Sequence, residues 1–254
     1  MLNYVTYGET SAPTLLIAHG LFGSARNWGV IAKRLSDQFH VIVVDMRNHG
    51  ESPRGNTQSY FDMAEDLAEV LDHVGPAHVL GHSMGGKAAM VLALTRPERL
   101  NTLIVADIAP VGYGHTQTHL IDAMRQIDLT QVNTRGDADR QLSAFVQEEG
   151  VRAFLLQSLD VKARAWRLNF DVLEADMPLI IGFPETEAEF DGATLFLSGA
   201  ASDYVLPEHR DMIRGLFPSA QFAKLPKAGH WLHAERPREF EAAVRVFLGQ
   251  KAGD

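Results

Sequence analysis

The stretch Val79-Leu80-Gly81-His82-Ser83-Met84-Gly85-Gly86-Lys87-Ala88-Ala89 decides how the rest of this 254-residue chain is read. A short apolar run enters it, and residues 84–94 form a good helix former closed by Thr95-Arg96-Pro97. Gly81, Ser83 and Gly85 therefore make G-x-S-x-G at a strand-to-helix junction, the setting in which that motif carries chemistry. A sharp turn there holds the serine hydroxyl clear of its own backbone, while the flanking glycines admit close neighbours. The same letters nearly spell a phosphate loop, but the Ser or Thr that would hold magnesium is Ala88. The nucleotide reading is set aside.

Outward from the elbow, apolar strands alternate with amphipathic helices. Strands are expected at 14–18, 41–44, 102–106, 194–199 and 220–225, with a further one at 3–7. Helices are expected at 28–35 with Asn27 as N-cap, at 60–74 capped by Ser59, at 207–217, and at 237–248 opened by Pro237. Val-, Ile- and Leu-rich strands alternating with helices mean a mostly parallel central sheet with helices on both faces. The alternation breaks between residues 111 and 188. That stretch reads as helical around 120–127, 140–148 and 151–159 with no convincing strand, so a helical cap inserted at 111–188 is expected. The core would then be 1–110 and 189–254.

Composition narrows the class. Net charge is -9 and no Lys/Arg run stands out, so neither nucleic acid nor an anionic membrane is an expected partner. No apolar run is long enough to span a bilayer, and residues 1–8 lack the basic and apolar regions of a signal peptide. There are no cysteines, which excludes disulfides, thiolate metal sites and a Cys nucleophile. A cytoplasmic enzyme using neither metal nor cofactor is the expectation.

A serine nucleophile needs a base, and the base an orienting acid. Of eleven histidines, His230 in Ala228-Gly229-His230-Trp231-Leu232-His233 lies between the last strand and last helix, at the same sheet edge as Ser83. His233 is the second choice, and His19 and His82 are read as ordering backbone. Two carboxylates compete for the third role. Asp107 ends the strand after the elbow and should be buried, and Asp203 follows the strand ending at Gly199. The backbone N–H groups of Met84 and Leu21 are the expected oxyanion donors. Trp28 and Phe22 could floor an acyl pocket or belong to the core. Phe154, Trp166 and Phe183 could line that pocket or hold the cap together. The run Asp45–Ser52 is read as loop-fixing.

Together, His19-Gly20-Leu21-Phe22-Gly23-Ser24, Asp45-Met46-Arg47-Asn48-His49-Gly50-Glu51-Ser52, the elbow, Asp107-Ile108-Ala109-Pro110 and Gly229-His230-Trp231-Leu232-His233 resemble the α/β-hydrolase superfamily. More narrowly they resemble its small YbfF-like acyl esterases. The resemblance implies a cofactor-free serine esterase of short acyl chains, or a thioesterase, with a helical cap. It favours Asp107 as the acid with Ser202 close to the histidine, while Asp203 beside Ser202 departs from the pattern. Its expected partner is a small acyl ester or thioester. A C–C bond hydrolase, a lactonase, a perhydrolase or a non-catalytic ligand receptor would carry the same constellation. Ser at the elbow argues against dehalogenases and epoxide hydrolases, which place Asp there.

Overall fold

Within the strands, alternate residues feed opposite apolar layers, as the period of two requires. Leu15, Ile17, Val41, Val43 and Leu80 belong to one layer, and Leu16, Ala18, Ile42, Val44 and Val79 to the other. Both faces are thus covered, and the strands read as continuous apolar runs rather than alternating ones.

A computed structural model describes residues 1–249. Residues 250–254, which end the expected core segment, lie outside the described residues. The chain opens with β1 (Tyr4–Tyr7), β2 (Thr14–Ala18), α1 (Gly29–Leu35), β3 (His40–Val44), α2 (Tyr60–Val74), β4 (Ala77–His82), α3 (Met84–Thr95) and β5 (Leu100–Ala106). After β5 come α4 (Thr118–Arg125), α5 (Arg135–Leu142) and α6 (Glu149–Leu155). A two-stranded hairpin follows, β6 (Leu159–Asp160) with β7 (Ala165–Trp166), then α7 (Phe170–Ala175) and α8 (Met177–Ile181). The chain closes with β8 (Thr194–Gly199), α9 (Arg210–Leu216), β9 (Ala220–Leu225), α10 (Leu232–Glu235) and α11 (Pro237–Gly249).

Seven strands form one sheet in the order β1-β3-β2-β4-β5-β8-β9, parallel except for β1. The strand order reverses between β2 and β4, so the loops after them diverge and leave a crevice at their carboxyl ends. Helices α2 and α3 pack together on one face, and α1 and α11 on the other. No described helix is long and apolar enough to cross a membrane.

Four local expectations are corrected. Asn27 does not cap a helix starting at Trp28. A 3-10 turn, Ala25–Trp28, precedes α1, and the Asn27 side chain folds back to accept from the Ser24 amide at 2.6 Å. The helix expected at 140–148 runs earlier, as α5, because Thr134 and Asp137 form a capping box that starts it. The helix expected at 207–217 opens as a 3-10 turn, Pro207–His209, before α9. The 111–188 stretch also contains the hairpin β6–β7 and the helices α7 and α8, which periodicity did not separate. These elements are too short for a period to be resolved. Ser59 caps α2 by accepting from the Asp62 amide, as expected.

Candidate active site

The elbow geometry follows from its glycines. Ser83 has φ 52° and ψ -120°, a left-handed conformation that a non-glycine residue adopts only under constraint. A Cβ on Gly85 would lie 2.5 Å from the carbonyl oxygens of Ala18 and His19, so α3 can approach β2 only with glycine there. The turn is tied to the next strand by the Ser83 amide, which donates to the Ala106 carbonyl at 3.1 Å. One residue on, the Asp107 amide donates to Leu197 at 2.9 Å, and Asp107 itself has φ 51°. Two strained residues on adjacent strands thus turn their side chains out at the same sheet edge.

There the structure brings Ser83, His230 and Asp107 into one line. His230 Nε2 lies 3.1 Å from Ser83 Oγ, and His230 Nδ1 lies 2.8 Å from Asp107 Oδ2. The acceptor-only carboxylate takes the Nδ1–H, which leaves the Nε2 lone pair facing the serine hydroxyl. Asp107 is fully buried, and both of its oxygens accept further hydrogen bonds. Oδ1 accepts from the Gly199 amide at 2.9 Å, and Oδ2 also accepts from Ser202 Oγ at 2.5 Å. Asp203 is exposed and does not share in this line. The strand order decides between the two carboxylates: β5 adjoins β4, so the residue ending β5 faces the elbow directly.

Buried imidazoles hold the surrounding loops. His82 Nε2 donates to the His230 carbonyl at 2.8 Å, and burial, helped by nearby His230 and His233, holds its pKa well below the usual imidazole value. His19 Nδ1 donates to Gly20 O and its Nε2 accepts from the Met46 amide at 2.9 Å. His49 pairs likewise, donating to Arg47 O and accepting from the Phe22 amide at 3.1 Å. One donor and one acceptor per ring is the pairing of neutral imidazole. Burial lowers His19, and burial with the neighbouring His19 pushes His49 down to about 3. The Gly20–Gly23 turn beside Ser83 is therefore pinned from two sides. Leu21 lines the cavity there, as does Met84 at the N-terminus of α3. Among the described residues neither amide pairs with a carbonyl of another element or loop. Asp45 accepts from the Ala25 and Glu51 amides and from Asn3 Nδ2, in keeping with a loop-fixing role for its run.

His233 and Trp28 do not contact the reacting line. Their rings stack at 4.1 Å beneath His82, both buried, and burial with His230 nearby pushes His233 down to about 3.

Above the serine lies a cavity of about 490 Å³, within the range of small-molecule sites. Its wall opposite the sheet comes from Leu120, Phe145, Val146, Val151, Phe154 and Ile180. Of the three aromatics singled out in the inserted stretch, Phe154 lines this space and meets Trp231 at 5.6 Å. Trp166 packs on Phe170 within the segment, and Phe183 lies against Tyr60 of α2, tying the segment to the core. Sequence reasoning missed Leu120, Phe145, Val146 and Val151, which have no motif to mark them.

It also missed the role of Lys87. Its ammonium is buried and donates to the carbonyls of Val111 at 2.8 Å, Ile181 at 3.0 Å and Gly182 at 2.5 Å. These are the two ends of the inserted stretch. Burial pushes Lys87 down to about 7, while the three carbonyls and the Tyr113 face, 4.7 Å away, favour the charged form. A lysine directly after an elbow Gly-Gly, on an otherwise apolar helix, was the available signal.

Comparison with known proteins identifies the family of the fold. A family model described as the alpha/beta hydrolase fold matches residues 13–237. The chain is 43% identical to the sn-1-specific diacylglycerol lipase ABHD11 of Mus musculus over 253 residues, 95% of this chain and 82% of that one. It is 40% identical to the esterase YbfF of Escherichia coli K12, covering 94% of each. A solved esterase from a marine microorganism superposes with a TM-score of 0.92 at 37% identity, over 97% of this chain and 98% of the other. The chain belongs to the α/β-hydrolase family and stands within it among the YbfF-like esterases, enzymes of the carboxylic-ester hydrolase class.

Proposed function

We propose that this chain is a serine esterase of short-to-medium acyl esters, with Ser83 as nucleophile, His230 as base and Asp107 as orienting acid. The observation that carries the reading is the unbroken line from Ser83 Oγ through His230 to Asp107, at 3.1 and 2.8 Å, at the floor of an apolar-walled cavity. Residues 111–188 act as the helical cap over a core of 1–110 and 189–254.

In the first half-reaction Ser83 Oγ attacks the ester carbonyl as its proton passes to His230 Nε2. The imidazolium so formed faces the fully buried Asp107 carboxylate, whose Gly199 and Ser202 donors keep it from turning away. The negative oxygen is received by the amides of Leu21 and Met84, with the positive end of the α3 dipole behind it. Collapse expels the alcohol, which takes the proton from Nε2 and leaves an acyl-Ser83. Water repeats the sequence, losing a proton to His230, and releases the acid. A thiol leaving group would run through the same acyl-enzyme. The names of both curated relatives point first to acyl esters.

The test is pre-steady-state release of p-nitrophenol from acetate, butyrate and octanoate esters. A burst near one equivalent that vanishes in Ser83→Ala is the expected result. Wild-type turnover in Ser83→Ala would sink the proposal. Absence of release from every ester would shift the weight to C–C bond hydrolysis or ligand reception.

A further inference from the structure

His230 has a third partner besides Ser83 and Asp107. The Tyr204 ring lies 4.0 Å from the imidazole at an interplanar angle of 22°, a stacked arrangement. His82 lies at 4.8 Å and Trp231 at 6.1 Å, both tilted, so Tyr204 makes the only near-parallel contact on this ring among the described residues. The ionisable groups around His230 are Asp107, His82 and His233, the last two buried and with depressed affinity for protons.

Tyr204 is itself held. Its backbone carbonyl accepts from Tyr113 Oη at 2.8 Å, and Tyr113 Oη accepts in turn from the Ala109 amide at 2.9 Å. Its own hydroxyl pairs with His115 Nε2 at 3.0 Å, and its amide donates to Ser202 Oγ at 3.3 Å. The loop after β8 is thereby fastened to the start of the inserted stretch, and the tyrosine is pressed against the imidazole from that side.

We propose that Tyr204 is a positioning residue for His230. Its ring confines the imidazole to the plane in which Nε2 meets Ser83 and Nδ1 meets Asp107, and its π face favours the imidazolium while the serine proton resides there. Through His115 and Tyr113 this clamp also links the base to the 111–188 stretch. The proposal rests on the Ser83–His230–Asp107 reading above.

The experiment compares wild type, Tyr204→Phe and Tyr204→Leu on the butyrate ester, with Tm measured for each. The His230 Nδ1–H resonance is followed by NMR in the same three proteins. Tyr204→Phe keeps the stacked face and is expected to hold kcat within about twofold, whereas Tyr204→Leu loses about tenfold in kcat with KM nearly unchanged. The far-downfield Nδ1–H signal should persist in the Phe variant and broaden or vanish in the Leu variant. Wild-type kcat with an intact signal in Tyr204→Leu overturns the proposal. So does a Phe variant as impaired as the Leu variant, because the hydroxyl link would then be the active feature. If the Leu variant does not fold, Tyr204→Met takes its place with the same two outcomes. A wild-type protein without ester turnover refutes the esterase reading, and the resonance still decides whether Tyr204 holds His230.

Discussion

The two walls of the cavity are built on different physical terms. On the sheet side, Ser83, Asp107 and the Gly20–Gly23 turn stand at the ends of strands whose residues are almost completely buried. Each is locked by backbone hydrogen bonds or neutral imidazoles. On the other side, five helices of five to eight residues each send a few apolar side chains, such as Ile121, Leu142, Leu155 and Leu173, into the shared core and are tied at the surface by ion pairs such as Arg125–Asp171. Exposed pairs of this kind contribute roughly 0–1 kcal/mol each. The first wall holds the reacting atoms through strand ends and backbone hydrogen bonds, and the second presents apolar side chains that bound the space over the serine. Lys87 joins them, fastening both ends of the inserted stretch to the elbow helix.

That contrast is sharpest where chemistry is tested. Ser83→Ala and Asp107→Asn should each lower kcat on the order of 10⁴-fold, with thermal unfolding of the serine variant unchanged. Asp203→Asn, equally close in sequence to an expected acid position, should leave kcat within about twofold. Steady-state kinetics of the three variants checks this, and a larger loss at Asp203 would reverse the assignment.

Next in size is the junction. Lys87→Met leaves three buried carbonyls without their donor, and each buried group left unpaired costs roughly 1–3 kcal/mol. Differential scanning calorimetry should show a lower Tm by several degrees, at about 2–4 °C per kcal/mol for a chain of this size. KM for octanoate should rise more than kcat falls, since the stretch loosens while the reacting line stands. An unchanged Tm would show that other contacts alone join the two walls.

The buried imidazoles predict a pH effect confined to the sheet side. His49 and His233 titrate at about 3 in the fold, and an unfolded chain protonates them near 6.5. Between those values the unfolded state binds more protons, so stability falls as pH drops from about 6.5 toward 3. Unfolding midpoints measured from pH 7 to pH 4 should decline, and His233→Phe should flatten the decline. An identical pH dependence in that variant would remove His233 from the account.

The smallest effect belongs to the apolar wall of the inserted stretch. Phe154→Ala should alter the octanoate-to-acetate ratio of kcat/KM by roughly tenfold or less while leaving acetate turnover near wild type. A uniform loss on every ester would mean that Phe154 supports Trp231, and so the His230 loop, rather than the acyl chain.

Much of the sheet was legible from residues alone. Apolar runs of four to six residues bounded by turn signals read as buried strands, and the elbow glycines marked the one tight strand-to-helix turn. The inserted stretch was legible only as a break in the alternation. Its helices are too short for periodicity to bound, and a two-residue strand such as β6 has no pattern at all. The capping box at Thr134 and Asp137 was a readable signal that the helical spacing of residues 140–148 obscured.

The sequence by itself determined the α/β class, the elbow serine and the sheet edge at which its partners had to lie, because local backbone constraints and hydrophobic period act over a few residues. Tertiary structure alone decided which carboxylate meets His230, 123 positions away from Asp107. It alone stacked Tyr204 on the imidazole and brought Lys87 to both ends of the inserted stretch. Those contacts depend on strand order and on how far each strand extends past its neighbour. Neither property is written in the identity of any one residue, and both emerge only when the sheet has packed.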